Sequence, residues 1–433
     1  MDGQTVSDQE GFELPPLFEI DGLLAPSAPE KLSEVDVDPS LLSDLTLKLA
    51  HTVPRFTTEW ASQKLCLPLQ LVEEICYDLK QDHLLEILGQ EGPFNYRYSA
   101  TDRGREQAER LMEISGYVGP APVSIEAYSA MLIWQSAHRA GVTYENVQAA
   151  VSELVLPTEA VEVAALSVYS GRSLFLFGPA GNGKTSLGRM LHRVFDGSLW
   201  IPYSICLDHN IIRIFDSHIH EPAGGIKSGK IDNRWQYVRR PFVVAGGEMT
   251  IEELDLAYSP SLRFYEAPPH VKANGGTFLI DDLGRQRVDA HELLNRWIIP
   301  LEHRTDHLTL VTGQKIELPF RLMLIVATNL TVSEVADPAF LRRMGYRLNV
   351  ASPTKENYAK IFRRYADAQN VKVQTELIQK IISRYETEKR ELRASEPRDL
   401  IERTRDICLL QGRPLELTPE VLEIAWRGYF GNI

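Results

Sequence analysis

Apolar residues in the first third of the chain recur at the three-to-four-residue spacing that is typical of amphipathic helices. This spacing predicts helices over Leu41–His51, about Thr58–Leu65 and Leu69–Gln81. Leu84–Leu88 and Tyr96–Ala100 follow, and they predict a pair of strands on either side of a glycine-containing loop. One further helix is predicted after the second strand.

The order of these elements resembles a winged helix-turn-helix, and we predict such a domain over residues 41–118. Residues 119–154 begin with the stiff segment Gly119–Pro122 and hold two more predicted helices. Residues 1–40 are acidic and proline-rich without a sustained period, so we predict a disordered tail there. Within this tail, the run Phe12–Ile20 mixes aromatic and acidic residues and leaves a second interpretation open, that of a docking peptide.

Between residues 155 and 350 the helical spacing alternates with short apolar runs, which are typical of buried parallel strands. Ser173–Phe177 and Leu322–Ala327 are two such runs. The stretch Trp200–Phe215 predicts one β-hairpin, and Thr309–Glu317 predicts a second hairpin around a glycine. These patterns predict an α/β unit with hairpin insertions.

A break at Ser352-Pro353 ends the α/β pattern, and residues 351–433 are predicted to be all-helical. The chain of 433 residues is 44% hydrophobic and 24% charged, which is normal for a soluble globular protein. No apolar run reaches the ~18–20 residues of a membrane-spanning helix, and the acidic N-terminus does not resemble a signal peptide. We therefore predict no membrane insertion.

The cysteines and the charge distribution restrict the function further. Cys66, Cys76, Cys206 and Cys408 are scattered, which argues against disulfides or a zinc site and favours the cytoplasm. Residues 1–40 hold ten acidic residues and one lysine, so the other 393 residues carry only −4 of the net charge of −13. Such a body lacks the basic footprint of a general nucleic-acid binder.

A glycine-rich phosphate-binding motif follows the apolar run Ser173–Phe177. It has the pattern GxxxxGK(S/T) and consists of Gly178, Pro179, Ala180, Gly181, Asn182, Gly183, Lys184 and Thr185, with a predicted helix from Ser186. The glycines let backbone N–H groups point at phosphates, and the N-terminus of the helix adds partial positive charge. We expect Lys184 to reach the β- and γ-phosphates of ATP and Thr185 to bind Mg²⁺.

Two further apolar runs end in polar residues that suit the same chemistry. One ends in Asp281 and Asp282, and we expect Asp281 to orient Mg²⁺ and Asp282 to polarise the attacking water. The other is followed by Asn329, whose amide can both donate and accept near the γ-phosphate or the water.

This succession of motifs resembles the AAA+ ATPases over about residues 155–433. The resemblance implies an α/β fold with a P-loop AAA+ core, in which helices cover both faces of a parallel sheet, and a helical lid. It makes Lys184 and Thr185 Walker A residues, Asp281 and Asp282 Walker B residues, and Asn329 sensor 1. Most AAA+ proteins have Glu at the position of Asp282, so the shorter side chain leaves the hydrolysis rate open.

Three arginines take their expected roles from this resemblance. The segment from Asp337 resembles the one that carries the arginine finger, and we favour Arg343, with Arg342 close behind. Glu396–Leu400 resembles sensor 2, which implies that Arg398 faces the phosphates of its own subunit. The hairpin at residues 309–317 resembles the pre-sensor-1 insertion of MoxR-like ATPases, RuvB-like motors and sigma-factor activators.

The whole arrangement looks most like bacterial chaperone-like ATPases that are often linked to Flp pilus assembly. It implies ATP and Mg²⁺ as cofactors, a ring that is expected to be a hexamer, and remodelling of a protein client. The alternative is a nucleic-acid machine that grips DNA with the winged helix. Residues 69–82 carry four acids against Lys80, which disfavours DNA, while Arg103, Arg105 and Arg110 keep it as the runner-up. A small-molecule kinase would not explain Asn329 together with the arginines.

Overall fold

The computed structural model describes residues 13–92, 95–137, 141–195, 197–224, 226, 228–335 and 338–431. The first twelve residues of the predicted tail and Asp337 of the predicted finger segment therefore lie outside the described residues. No helix in the described ranges combines the length and the apolar character that crossing a bilayer requires.

Part of the segment predicted to be a disordered tail forms an antiparallel hairpin instead. Its strands are β1 (Leu17–Ile20) and β2 (Leu23–Pro26). Leu17, Phe18 and Ile20 pack against a buried core, and the Trp200 indole Nε1 donates to the backbone oxygen of Leu24 at 3.0 Å. The prediction of disorder is wrong here because these apolar side chains are partly buried against a distant part of the chain, which composition alone does not reveal.

A helical unit with a three-stranded sheet follows the hairpin, and it contains the predicted helices and strand pair together with one short strand, β3, that the sequence did not predict. The elements are α1 (Pro39–His51), β3 (Phe56–Thr57), α2 (Thr58–Leu65), α3 (Leu69–Gln81), β4 (Leu85–Gly92), β5 (Asn95–Ala100) and α4 (Asp102–Ile114). β5 pairs antiparallel with both β3 and β4. The hydroxyl of Thr57 caps α2 by accepting from the backbone N–H of Trp60. The assignment of this unit to the winged helix-turn-helix class stays a prediction.

The middle of the chain contains the core sheet and its insertions. Its elements begin with β6 (Val123–Ser124), α5 (Ile125–Ala137), α6 (Tyr144–Ala150), α7 (Thr158–Ser170), β7 (Leu174–Phe177), α8 (Lys184–His192), β8 (Ser198–Pro202), β9 (Ser204–Leu207), β10 (Asn210–Arg213), β11 (Trp235–Arg239) and β12 (Phe242–Ala245). They continue with β13 (Ala257–Ser259), β14 (Phe264–Glu266), α9 (Pro269–Lys272), β15 (Thr277–Leu283), α10 (Ala290–Arg296), α11 (Ile298–His303), β16 (Thr305–Thr309), β17 (Lys315–Pro319), β18 (Met323–Thr328), α12 (Val332–Val335), α13 (Pro338–Arg343) and β19 (Tyr346–Asn349).

The core is a five-stranded sheet in the order β12-β15-β18-β7-β19, and every neighbouring pair is parallel. Successive residues of a strand point to opposite faces, and both faces are covered. Leu174 and Leu176 join one apolar cluster with α7 and α8, whereas Phe175 joins another with α10 and α13. The predicted α/β fold with a parallel sheet between helices is confirmed.

Two hairpins interrupt this core. β9 and β10 pair antiparallel around Asp208 and His209, so the first hairpin turns where it was predicted. The strand predicted before that turn is divided at Tyr203, because β8 pairs with β11 instead. β16 and β17 form the second hairpin directly before β18, as predicted.

The last unit is mainly helical and packs against the core. It contains α14 (Lys355–Ala368), β20 (Lys372–Val373), α15 (Thr375–Thr387), α16 (Glu396–Leu410), β21 (Glu416–Leu417) and α17 (Pro419–Phe430). β20 and β21 form a short parallel pair that the sequence did not predict. Tyr358, Phe362, Tyr385 and Trp426 lie at the centre of its apolar core. We call this unit the lid.

Candidate nucleotide-binding site

The glycine-rich loop lies between β7 and α8, at the carboxyl end of a central strand. Gly178, Gly181 and Gly183 have φ angles of 129°, 80° and 88°, a region that favours glycine. A Cβ atom on Gly178 would come within 2.6 Å of the backbone oxygen of Val350. The loop therefore depends on glycine both for its conformation and for its close approach to the end of β19.

Lys184 is only 7% exposed at the first position of α8. Its Nζ donates to the backbone oxygens of Gly178 at 2.7 Å and Pro179 at 2.9 Å, and to Asn329 Oδ1 at 2.7 Å. Burial lowers the pKa of Lys184, while the carboxylates of Asp282 and Asp281 act in the opposite direction. All three ammonium protons thus have partners in this state.

Thr185 and Asp281 form the second contact across the site. The Thr185 hydroxyl donates to Asp281 Oδ1 at 2.9 Å. Both are oxygen ligands of the kind that Mg²⁺ prefers, and ligands at ~2.1 Å in an octahedron lie about 3 Å apart, close to this distance. The two side chains therefore fit a magnesium site.

Asp282 sits at an irregularity in β15. Its φ of 52° is left-handed, and the pairing of β15 with β18 shifts between Ile280 and Leu283. Asn329 Nδ2 donates to Asp282 Oδ1 at 3.0 Å, so the Asn329 amide joins Lys184 to Asp282. A left-handed φ is uncommon for a residue other than glycine, and here it coincides with the shift in strand pairing.

These residues surround a cavity of about 310 Å³. Its lining consists of Ala180, Gly181, Gly183, Lys184, Thr185, Ser186, Asp281, Asp282, Arg285, Asn329 and Ser395. The structure thus brings together most of the predicted Walker A, Walker B and sensor 1 residues. Arg285 and Ser395 were missed, although Arg285 follows the acidic pair by only three residues.

The lid contacts the glycine-rich loop directly through residues that precede α16. Ser395 N donates to the backbone oxygen of Gly181 at 2.9 Å. Asn182 Oδ1 accepts from Ala394 N at 3.1 Å, and Asn182 Nδ2 donates to Ser352 Oγ at 3.3 Å. The side chain of Asn182 therefore links the glycine-rich loop to the lid by hydrogen bonds.

The structure does not bring Arg398, Arg342 or Arg343 to the cavity. The Arg398 side chain is 53% exposed and pairs with Asp399 at 3.2 Å. Arg343 binds Glu302 Oε2 at 2.7 Å and the backbone oxygen of Ala339 at 3.0 Å, whereas Arg342 is exposed. Within one subunit, these arginines have other partners or face solvent.

Comparisons with known proteins match parts of this architecture. A family model described as a domain of unknown function, DUF8689, matches residues 354–428, which lie within the lid. No curated protein matches the chain. Among solved structures, it is similar to the RuvB Holliday junction branch migration motor of Thermotoga maritima, with 15% identity over 66% of this chain and 70% of that one and a TM-score of 0.35.

A second similar structure is NtrX from Brucella abortus in complex with ATP. The identity is 13% over 74% of this chain and 62% of that one, with a TM-score of 0.40. A point mutant of the Thermotoga maritima RuvB is 13% identical over 67% and 73%, with a TM-score of 0.37. The parallel strand order, the glycine-rich loop after β7 and the helical lid that contacts this loop together define an α/β fold with a P-loop.

Proposed function

We propose that this chain is an ATP-binding and ATP-hydrolysing AAA+ motor of the bacterial cytoplasm. The observation that carries the proposal is the network at the carboxyl edge of the sheet, in which Asn329 joins Lys184 to Asp282. A phosphate-binding lysine, a carboxylate and a polar amide within hydrogen-bonding distance are the groups that phosphoryl transfer to water requires. The location agrees with four cysteines that are all free thiols.

Each side chain has a specific task in this proposal. Lys184 exchanges the carbonyls of Gly178 and Pro179 for the β- and γ-phosphates, because charged acceptors form stronger hydrogen bonds than neutral ones. Thr185 and Asp281 would hold Mg²⁺, which neutralises charge on the phosphates when bound. Asp282 accepts a proton from the attacking water, and Asn329 orients that water.

The proposal includes a ring, which we expect to be a hexamer. The cavity contains Lys184 and Arg285, and its described lining includes neither Arg342 nor Arg343. A cation from a neighbouring subunit would complete such a site, because an arginine finger stabilises charge on the transferring phosphoryl group. We retain Arg343 as the first candidate, although its pairing with Glu302 must break, and exposed Arg342 as the second.

The lid connects nucleotide binding to movement in this account. Because the lid donates hydrogen bonds to Gly181 and Asn182, a shift of the glycine-rich loop would be transmitted to the start of α16. Arg398 lies in the first turn of α16 and would contact phosphates only after the lid rotates toward the cavity. A client that binds elsewhere on the motor would be remodelled by this rotation.

We infer a protein client rather than DNA from the surface of the N-terminal unit. On α3, Glu74, Asp78 and Tyr77 are exposed, and on β4 Ile87 and Leu88 are exposed. Phosphate contacts need Lys or Arg, whereas an acidic surface with apolar side chains suits a protein. DNA binding remains the second candidate because Arg103 and Arg110 are exposed on α4.

Mixing two inactive variants tests the proposed motor. Arg343→Ala should bind ATP normally and lose ~10³–10⁵-fold in turnover, whereas Lys184→Ala should not bind ATP. Mixed rings at a ratio of 1:1 should regain activity at about a quarter of their interfaces, where an intact loop meets an intact finger. Arg110→Ala, a matched arginine deletion in α4, should hydrolyse ATP like the wild type.

The oligomers in each mixture should be verified by size-exclusion chromatography with differently tagged subunits. If mixed rings form and stay as inactive as either variant, Arg343 does not act across the interface. Recovery with Arg342→Ala in its place would assign the finger to Arg342. If neither arginine variant loses turnover, the proposed ring mechanism is wrong.

A further inference from the structure

We propose that Arg285 is a γ-phosphate-binding residue that acts within its own subunit and masks Asp282 until nucleotide arrives. This inference rests on the proposed ATPase function and concerns a residue that the Walker and sensor motifs do not include. Arg285 Nη1 lies 3.6 Å from Asp282 Oδ2, and the side chain lines the cavity.

The backbone around Arg285 holds it at the rim of the cavity. Its N–H donates to the backbone oxygen of Asp282 at 3.0 Å, which closes a tight turn. Gly284 at the centre of this turn has a φ of 97°, and a Cβ there would lie 2.5 Å from Leu330 Cδ1. Gln286 fixes the turn by accepting from Gly284 N at 2.8 Å and donating to the backbone oxygen of Asp281 at 3.1 Å. The position of Arg285 therefore follows from the end of β15.

The charges that line the cavity favour phosphate binding by Arg285. Of the described side chains that line it, only those of Lys184 and Arg285 are cationic, against the carboxylates of Asp281 and Asp282. The Lys184 ammonium is surrounded by acceptors on one side of the loop. Arg285 supplies a second cation, which suits the terminal phosphate because that phosphate carries more charge than its neighbours.

In the same geometry, both carboxylate oxygens of Asp282 have partners. Asn329 donates to its Oδ1, and the Arg285 guanidinium faces its Oδ2. A carboxylate must offer a lone pair to the water that it deprotonates. Arg285 is 68% exposed, and an exposed ion pair of this kind contributes little. The guanidinium can therefore leave Asp282 for a γ-phosphate and free Oδ2 for water.

Comparing the binding of two nucleotides distinguishes a contact between Arg285 and the γ-phosphate from a general effect of charge. Titration calorimetry would compare ADP with an ATP analogue whose β,γ bridge resists hydrolysis, at concentrations where size-exclusion chromatography shows monomers. Arg285→Ala should weaken binding of the analogue by about 10- to 100-fold and leave ADP within a factor of about two, because one charge-assisted contact is lost. The affinity of Arg285→Lys for the analogue should lie between those of the wild type and Arg285→Ala.

Arg287→Ala is the matched control, because Arg287 is exposed in the same loop and is not among the residues that line the cavity. Equal loss for both nucleotides in Arg285→Ala, or no loss beyond that of Arg287→Ala, would overturn the inference. A loss seen only when subunits associate would assign Arg285 to a neighbour's site and contradict its action within one subunit. Lys184→Ala separates the two proposals: if it binds both nucleotides like the wild type, the ATPase assignment itself fails.

Discussion

Asn329 Nδ2 donates a hydrogen bond to Asp282 Oδ1 across 3.0 Å, so the ends of two neighbouring strands share one polar contact. The other end of the same amide accepts from Lys184. Phosphate that draws Lys184 away would therefore remove one of the two partners of the amide that binds Asp282. This relationship gives the proposed base a means to respond to nucleotide.

Asp282→Asn should bind ATP with the affinity of the wild type and hydrolyse it ~10²–10⁴-fold more slowly. The amide keeps the shape of the carboxylate and can still accept from Asn329, but it cannot take a proton from water. Binding by calorimetry and steady-state phosphate release measure the two effects. Asp367→Asn, at an exposed position of α14, is the control. Unchanged turnover in Asp282→Asn would mean that another group activates the water.

The local parts of the site could be predicted from the sequence because each lies within a short pattern. The glycine-rich loop, Asp281 and Asn329 all follow apolar runs, and parallel strands gather their carboxyl ends at one edge. Contacts between distant segments could not be predicted in this way. Ser395 reaches the loop only because the lid folds back onto a segment that lies far earlier in the chain.

The hairpin β1–β2 and the position of Arg398 are two more features that depend on contacts between distant segments and could not be predicted from the sequence. The apolar residues of the hairpin are too few to indicate structure until Trp200 and its neighbours supply a surface. For Arg398 the motif identifies the helix, but the partner depends on the orientation of the lid, and here the side chain pairs with Asp399. Both cases depend on packing across the chain.

His192 should make the folding stability depend on pH below neutrality. Burial, aided by Arg240, lowers the pKa of His192 to about 4 from 6.5, and its Nδ1 lies 3.0 Å from Thr277 Oγ1. The pKa of His192 is lower in the folded than in the unfolded protein, so the unfolded protein takes up the proton first as the pH falls. The stability that neutral His192 contributes is therefore complete above about pH 6.5 and decreases as the pH falls to about 4. The loss can reach about 3 kcal/mol.

His192→Gln should remove that part of the pH dependence. Denaturant titrations at pH 7.5, 6 and 5 would give the free energy of unfolding of each variant. The difference between wild type and variant should narrow or reverse toward pH 5. His209→Gln, at an exposed turn position, should follow the wild type at every pH. Parallel curves for wild type and His192→Gln would show that His192 does not titrate as inferred.

Purified protein should not bind duplex DNA tightly at physiological salt. The exposed acids of α3 release no counterions from DNA and repel its phosphates. Fluorescence anisotropy with a random-sequence duplex at several salt concentrations measures this. Replacing Glu74 and Asp78 with Lys should raise the affinity if charge is the cause. Sub-micromolar, salt-sensitive binding by the unmodified protein would favour the nucleic-acid alternative.

Titration of Lys184→Ala with ATP and magnesium tests most directly whether nucleotide binds at the loop between β7 and α8. Lys184 is the buried cation of the cavity, and its removal leaves phosphate charge largely uncompensated. Lys380→Ala, at an exposed position of α15, is the matched control and should give the same binding isotherm as the wild type.

We expect no measurable ATP binding by Lys184→Ala under conditions where wild type and Lys380→Ala bind, while its circular dichroism spectrum and thermal midpoint stay close to those of the wild type. ATP binding by folded Lys184→Ala with the affinity of the wild type would contradict binding at this loop, because the nucleotide would then bind elsewhere or not through this lysine.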